Sequence, residues 1–227
     1  MSRIALVIAG GDPPPLDLLA TLPPPLITVA ADSGINHARA MDLGVDVLVG
    51  DLDSADAAAI QWAIDRGATV EAHSPNKDQT DLELALDRAV GAATKLEIDE
   101  LVVAGVAGGR LDHWLANLLT VAGPVTASID VTTYAGRSRI SVVRNHRLLT
   151  GRAGELISLI PVGGPAHGIT TTGLTYPLTN ETLTAGSGRG VSNTFVSTGT
   201  DTTVSARVEL TWGTLLAVQP EYLASTP

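Results

Sequence analysis

Along residues 1–125, short apolar runs ending in Gly or Asp alternate with stretches whose apolar residues recur at helical spacing; after about residue 125 the helical period is gone. No other feature constrains the fold as tightly. The runs at 4–9, 27–31, 45–49, 68–72 and 101–104 stop at Gly10-Gly11, Asp32-Ser33-Gly34, Gly50-Asp51 and Gly105, or run on into polar sequence. Continuous apolar runs bounded in this way are the signature of strands buried on both faces of a parallel sheet. Between them, Leu82, Ala85, Leu86, Ala89 and Val90 fall on one helical face, and Thr80 with Glu83 has the spacing of a capping box. Leu111, Leu115, Leu118 and Leu119 make a second stripe, expected to face a core. Strand-helix alternation predicts an open, mainly parallel α/β sheet for residues 1–125.

Beyond that point, runs at 131–134, 140–143, 155–161, 168–172, 204–210 and 214–218 read as strands separated by Gly, Pro and Asn turns. This is the pattern of a β-sandwich. Residues 170–203 hold 12 threonines, which suit the solvent face of strands. The expected architecture is therefore α/β plus all-β, with domains at 1–125 and 126–227. The proline clusters at 13–15 and 23–25 bracket one short helical stretch and set loops.

A chain of 227 residues, 44% hydrophobic and 17% charged, can bury a sizeable core. With seven aromatics (3 Trp, 3 Tyr and 1 Phe), that core is aliphatic. The absence of cysteine excludes disulfides, zinc-thiolate sites and a thiol nucleophile. The N-terminal apolar run lacks a basic lead and a small-residue cleavage pattern. No stretch nears the roughly 20 residues that span a bilayer, so a soluble, cytoplasmic protein is expected. Residues 1–125 hold 18 acids and 7 bases, against 6 and 7 in the remainder. The net charge of −10, with no basic patch, argues against nucleic-acid binding.

The acidic signals sit just after predicted strands, where an open α/β sheet binds ligands. Asp51 and Asp53 in Gly50-Asp51-Leu52-Asp53-Ser54 are two carboxylates at i, i+2, suited to a hard cation such as Mg²⁺. Asp53 or Ser54 could equally cap the following helix. Lys77, one of two lysines, stands beside a helix start with Asp78, Thr80 and Asp81, an arrangement suited to phosphate. The turn Gly108-Gly109-Arg110 runs into a helix carrying Asp112, His113 and Asn117; its spacing matches neither the Rossmann nor the Walker pattern. Arg110 could clamp phosphate through its guanidinium fork. In the β half, Gly188-Arg189-Gly190-Val191-Ser192-Asn193 reads by itself as a hairpin turn, and Trp212 as a core aromatic.

Taken together, Ala31-Asp32-Ser33-Gly34, Gly50-Asp51-Leu52-Asp53-Ser54, Lys77-Asp78-Gln79-Thr80-Asp81, Gly108-Gly109-Arg110-Leu111-Asp112-His113 with Asn117, and Gly190-Val191-Ser192-Asn193 resemble, in order, the motifs of bacterial thiamine pyrophosphokinases. The resemblance covers about residues 4–218. It implies a homodimer whose α/β domain binds MgATP and whose β-sandwich supplies the dimer contact and part of the thiamine site. The implied reaction is attack of the thiamine hydroxyl on the β-phosphorus of ATP, giving AMP and thiamine diphosphate. By family match, Asp51, Asp53 and Asp81 hold Mg²⁺. Asp32, Lys77, Thr80, Gly108, Gly109, Arg110, His113 and Asn117 serve ATP, and Ser192, Asn193 and Trp212 serve thiamine. Asp78, Asp81 and Asp112 are the candidates to accept the hydroxyl proton. The segment Asp12-Pro13-Pro14-Pro15 departs from the commoner bacterial pattern. Two alternatives are a pyrophosphokinase of the pterin type and a non-catalytic nucleotide-binding module. The complete β half speaks against the first, and retention of the acidic motif residues against the second.

Overall fold

Six parallel strands form the sheet of the N-terminal half. In chain order the elements are β1 (Ile4–Ile8), α1 (Leu16–Leu19), β2 (Ile27–Ala31), α2 (Gly34–Ala40), β3 (Val47–Gly50), α3 (Ala57–Asp65), β4 (Thr69–Ala72), α4 (Asp81–Leu96), β5 (Glu100–Ala104), α5 (Leu111–Val121) and β6 (Asp130–Ala135). The strand order is β6-β5-β1-β2-β3-β4, with every pair parallel. This computed structural model describes residues 2–13, 15–197 and 203–222. Pro14 and residues 198–202, which belong to the expected proline loop and threonine-rich strands, lie outside the described residues. The chain divides into two compact units, Met1–Gly136 and Arg137–Pro227.

The first unit extends past the expected boundary at 125. Val131 pairs with Leu101 and Thr133 with Val103 in parallel register, so the run at 131–134 completes the α/β sheet instead of opening the β half. The reason is connectivity: a parallel neighbour needs a crossover, and α5 supplies it.

Local chemistry explains the long helix. The Thr80 side chain accepts the Glu83 N–H and the Glu83 carboxylate accepts the Thr80 N–H, forming the full capping box. Leu82, Ala85, Leu86 and Ala89 are buried. Helix α5 behaves differently from the expectation. Leu111, Leu115 and Leu119 are 63%, 52% and 56% exposed. The inward face is instead set by half-buried Trp114, Asn117 and Leu118 and buried Val121, with Asn117 Nδ2 donating to the Val106 carbonyl. Of the four leucines of the stripe, Leu118 alone lies on that inner face.

The second unit contains β7 (Ser138–Val143), β8 (His146–Arg152), β9 (Leu156–Pro161), β10 (Ala166–Thr172), β11 (Glu181–Leu183), β12 (Asn193–Thr194), β13 (Thr203–Glu209) and β14 (Leu215–Gln219). Within it, the strands run β12-β9-β14-β7 in one sheet and β11-β10-β13-β8 in the other, all antiparallel. Residues from both sheets, including Leu149, Ile157, Leu159, Ile169, Phe195, Val208 and Leu215, form one core. This is the expected β-sandwich. Strand β8 has no counterpart among the expected runs, although it pairs with β13 along its whole length.

Candidate active site

Strand order reverses at β1, which lies between β5 and β2. A doubly wound sheet opens a crevice at such a switch point, beyond the carboxyl ends of its strands. Here the crevice is a cavity of about 450 Å³. Gly10 and Gly11 after β1, Asp32 after β2, Asp51 and Asp53 after β3, Asp81 at the start of α4, and Gly108, Gly109 and Arg110 after β5 all line it. His113, Asn117 and Thr80 line it as well.

The two loops carrying the carboxylates are held in unusual backbone. Asp32 has φ 45° and Leu52 φ 63°, left-handed values uncommon for residues other than glycine. Such strain clusters where structure over-determines a site. Gly50, at φ 145°, separates two acids: a Cβ there would stand 3.0 Å from Asp81 Oδ1 and 3.1 Å from Asp32 Cβ. The N-cap of α3 is Asp56, so Asp53 and Ser54 are not spent on capping. The Ser54 hydroxyl donates to Asp32 Oδ2, and the Asp53 N–H donates to Asp51 Oδ1 at 3.3 Å.

Carboxylate oxygens of Asp32, Asp51 and Asp53 lie within 4.8 Å of one another. Asp32 Oδ1 is shielded from solvent and has no hydrogen-bond partner among the described residues. An all-oxygen donor set with one orphaned oxygen fits a hard divalent cation. Asp32, expected on the nucleotide, thus joins Asp51 and Asp53 in this trio. Asp81 stands instead beside Lys77, whose Nζ lies 3.1 Å from Asp81 Oδ1 and 3.4 Å from Asp51 Oδ2.

Electrostatics separates the two neighbouring acids. The Asp53 N–H and then Lys77 hold the Asp51 carboxyl below the ordinary range. The negative charge of Asp51, with burial and Asp32 adding to it, pushes Asp53 up. For Lys77, burial opposes its charge, but hydrogen bonds to Asp81 and Asp51 outweigh it and the ammonium is raised.

Asp112 is drawn to Arg110. The guanidinium donates from Nη2 to Oδ2 at 2.6 Å and from Nε to Oδ1 at 3.2 Å, which lowers the carboxyl to about 2. A carboxylate that acidic is a weak proton acceptor. A depressed folded pKa contributes stability above the unfolded value, about 3.9, and loses it as pH falls toward 2. Both partners are well exposed, so the effect on stability is small. Replacing Arg110 with Ala is expected to return the Asp112 titration midpoint to the usual carboxylate range. Carbon-detected NMR titration checks this, and an unmoved midpoint contradicts the pairing. Asp78 is exposed and is absent from the lining of the cavity, and the Thr80 hydroxyl is engaged in the capping box.

In the second unit, Ser192 adopts φ 62° and its N–H donates to Ser158 Oγ at 3.1 Å. Asn193 is buried. Its Oδ1 accepts the Tyr176 N–H at 3.0 Å and its Nδ2 donates to the Tyr176 carbonyl at 2.8 Å. The Tyr176 ring is 68% exposed beside this clamp, an aromatic that the motifs did not single out. Trp212 is 61% exposed, not a core residue, and leans on His167 with ring centroids 5.5 Å apart. The two groups sit on different sheets: Asn193 pairs with β9, and Trp212 bridges to His167 of β10.

Known proteins give the same organisation. The family model described as "Thiamin pyrophosphokinase, catalytic domain" matches residues 25–133, and "Thiamin pyrophosphokinase, vitamin B1 binding domain" matches 138–211. Thiamine pyrophosphokinase of Bacillus subtilis is 32% identical over 126 residues, 55% of this chain and 57% of that protein. Thiamine pyrophosphokinase 3 of Oryza sativa is 27% identical over 175 residues, 74% of this chain and 64% of that protein. The chain thus aligns with less than two thirds of the length of either relative. The crystal structure of the Bacillus subtilis enzyme superposes with a TM-score of 0.78 at 24% identity, covering 96% of this chain and 98% of that one. Yeast thiamin pyrophosphokinase gives 0.71 at 15% identity, covering 96% and 86%. Both superpositions show a shared fold. Two consecutive models of one family span the α/β sheet and the β-sandwich, and the first contains the acidic trio at the switch point; the chain belongs to the thiamin pyrophosphokinase family.

Proposed function

We propose that this protein transfers the pyrophosphoryl group of ATP to the hydroxyl of thiamine, giving AMP and thiamine diphosphate. The observation that carries the reading is the convergence of Asp32, Asp51 and Asp53 at the switch point of a chain matched by both family models. Asp32, Asp51 and Asp53 would hold Mg²⁺, with Asp81 a fourth carboxylate lining the same cavity. The bound ion would neutralise charge developing on the phosphate oxygens. Lys77 and Arg110 supply positive charge to ATP, and Gly108 and Gly109 offer backbone close to the cavity. His113 and Asn117 line its wall. Of the three acids able to take the hydroxyl proton, Asp81 alone lines the cavity, which favours it over Asp78 and over Asp112 paired with Arg110.

Ser192, Asn193 and Trp212 are assigned to thiamine, with the exposed Tyr176 ring adding a second flat surface. Stacking of a cationic ring on such a surface is worth roughly 0.5–2 kcal/mol. Match of the β half to a vitamin B1 binding model supports thiamine over a pterin substrate. The α/β unit is thus proposed as the MgATP domain and the sandwich as the thiamine domain. We place the reaction in the cytoplasm, where ATP and Mg²⁺ are supplied; no helix among the described residues is long and apolar enough to cross a membrane. A homodimer with the sandwich supplying its contact belongs to the same proposal, and the exposed Leu111, Leu115 and Leu119 of α5 offer a further apolar face to a second copy. A monomer in sedimentation equilibrium at micromolar concentration would contradict the dimer. The decisive experiment for the reaction is AMP release from MgATP. It is expected only when thiamine is present, with thiamine diphosphate formed in equal amount. ATP turnover indifferent to thiamine would overturn the assignment.

A further inference from the structure

Two adjacent residues of α2 reach two different loops of the cavity. Asn36 Oδ1 accepts the Asp56 N–H at 3.0 Å, at the end of the loop that begins with Asp51. His37 Nε2 lies 2.6 Å from the Gly11 carbonyl; a carbonyl only accepts, so the ring nitrogen donates. Successive residues point about 100° apart on a helix, which sends one side chain toward each loop.

The helix is itself well anchored. Ile35 and Ala38 are buried, and a Cβ on Gly34 would run into the Ile8 carbonyl, so the first turn of α2 lies directly on the end of β1. Asn36 and His37 are half-buried; the His37–Gly11 bond is partly shielded from water, while the Asn36–Asp56 bond is exposed and holds by its geometry. Neither residue lines the cavity.

We propose that Asn36 and His37 are positioning residues, a paired brace that holds the Asp51–Asp56 loop and the Gly10–Gly11 turn in register with each other across the site. The Asp51–Asp56 loop carries two of the three clustered carboxylates and the strained Leu52, so it needs an external tether to keep both acids aimed inward. The third residue of α3 is Ala59, which has no side-chain acceptor for the Asp56 N–H, and Asn36 Oδ1 takes it instead. Displacement of a reacting group by about 1 Å costs up to about 100-fold in rate.

This inference rests on the proposed reaction for its kinetic arm, but not for its structural arm. Asn36→Leu and His37→Leu remove the bonds at similar size; Asn36→Asp and His37→Gln restore an acceptor and a donor. Hydrogen exchange by mass spectrometry is expected to quicken about 10-fold or more over residues 51–56 in Asn36→Leu and over 10–12 in His37→Leu, with little change elsewhere. Turnover is expected to fall about 10- to 100-fold in each, with KM for thiamine nearly unmoved, and to recover to within about 3-fold of the parent in Asn36→Asp and His37→Gln. Should Asn36→Leu fail to fold, Asp56→Pro removes the same bond from the donor side, at a φ of −65° that proline adopts. Unchanged exchange in both loops overturns the brace, as does faster exchange with undiminished turnover or a loss the conservative variants do not rescue. A parent without thiamine-dependent AMP release defeats the proposed reaction instead, and the exchange arm still decides the brace.

Discussion

Asp53→Asn is expected to lower thiamine-dependent AMP release by about 100-fold or more while leaving the protein folded. Asp53 is exposed, caps no helix, and sits in the trio with Asp32 and Asp51. The amide keeps its shape but loses the charge that a divalent ion requires. Its effect on stability has the opposite sign to its effect on activity. In the fold, Asp51 and then burial and Asp32 push the Asp53 carboxyl up, so the ionised form is disfavoured relative to the unfolded chain. A raised carboxyl pKa means that Asp53 weakens the fold at neutral pH and that the penalty fades as pH falls through the raised pKa. Asp53→Asn is therefore expected to melt at or above the parent temperature at pH 7. The gap should close as the pH falls to where the parent carboxyl is protonated. Melting curves across pH and initial rates at limiting Mg²⁺ check the two halves separately. Parental turnover at limiting Mg²⁺ would remove Asp53 from the metal site.

Phe195→Ala is expected to cost about 3–5 kcal/mol of stability in the sandwich. Phe195 is 2% exposed and is the one phenylalanine of the chain. Its ring packs directly on backbone: a Cβ added to Gly151 would stand 2.8 Å from it. The neighbouring aliphatic residues cannot fill a cavity of that size without moving whole strands. Phe195 also follows β12 and bonds through its backbone to Glu155 and Gly154. Loss of the ring should therefore loosen the Ser192-Asn193 turn. KM for thiamine is expected to rise while KM for ATP stays near the parent value. Urea unfolding followed by far-ultraviolet circular dichroism gives the stability. A loss under about 1 kcal/mol would mean that the site collapses more readily than the packing implies.

Motif spacing located more of the site than of its wiring. Asp32, Asp51, Asp53, Asp81, Gly108, Gly109, Arg110, His113 and Asn117 all line one cavity. Asp78 does not, Lys77 meets Asp51 and Asp81, and Arg110 clasps Asp112, none of which spacing reveals. Asn36, His37 and Tyr176 carry no motif signal at all; their roles exist only through partners 17 to 26 residues away in the chain.

What the sequence determined by itself is whatever depends on near neighbours. The capping box of α4, the apolar run that becomes β2, and the strand-helix alternation all follow from backbone and side-chain preferences within a few residues, so they are readable in order along the chain. Tertiary structure decided the rest. Strand β8, with His146, Arg147 and Arg152 at its ends, turns only Leu149 and Gly151 fully inward, and it is a strand because β13 pairs with it. Run 131–134 reads as a strand in either domain, and its parallel register with β5 assigns it to the first. The leucines of α5 carry helical period without saying which side is covered; in the fold Leu118 is half-buried while Leu111, Leu115 and Leu119 stay exposed. Pairing, register and facing are long-range choices, made by backbone hydrogen bonds and packing between segments that local propensity does not see.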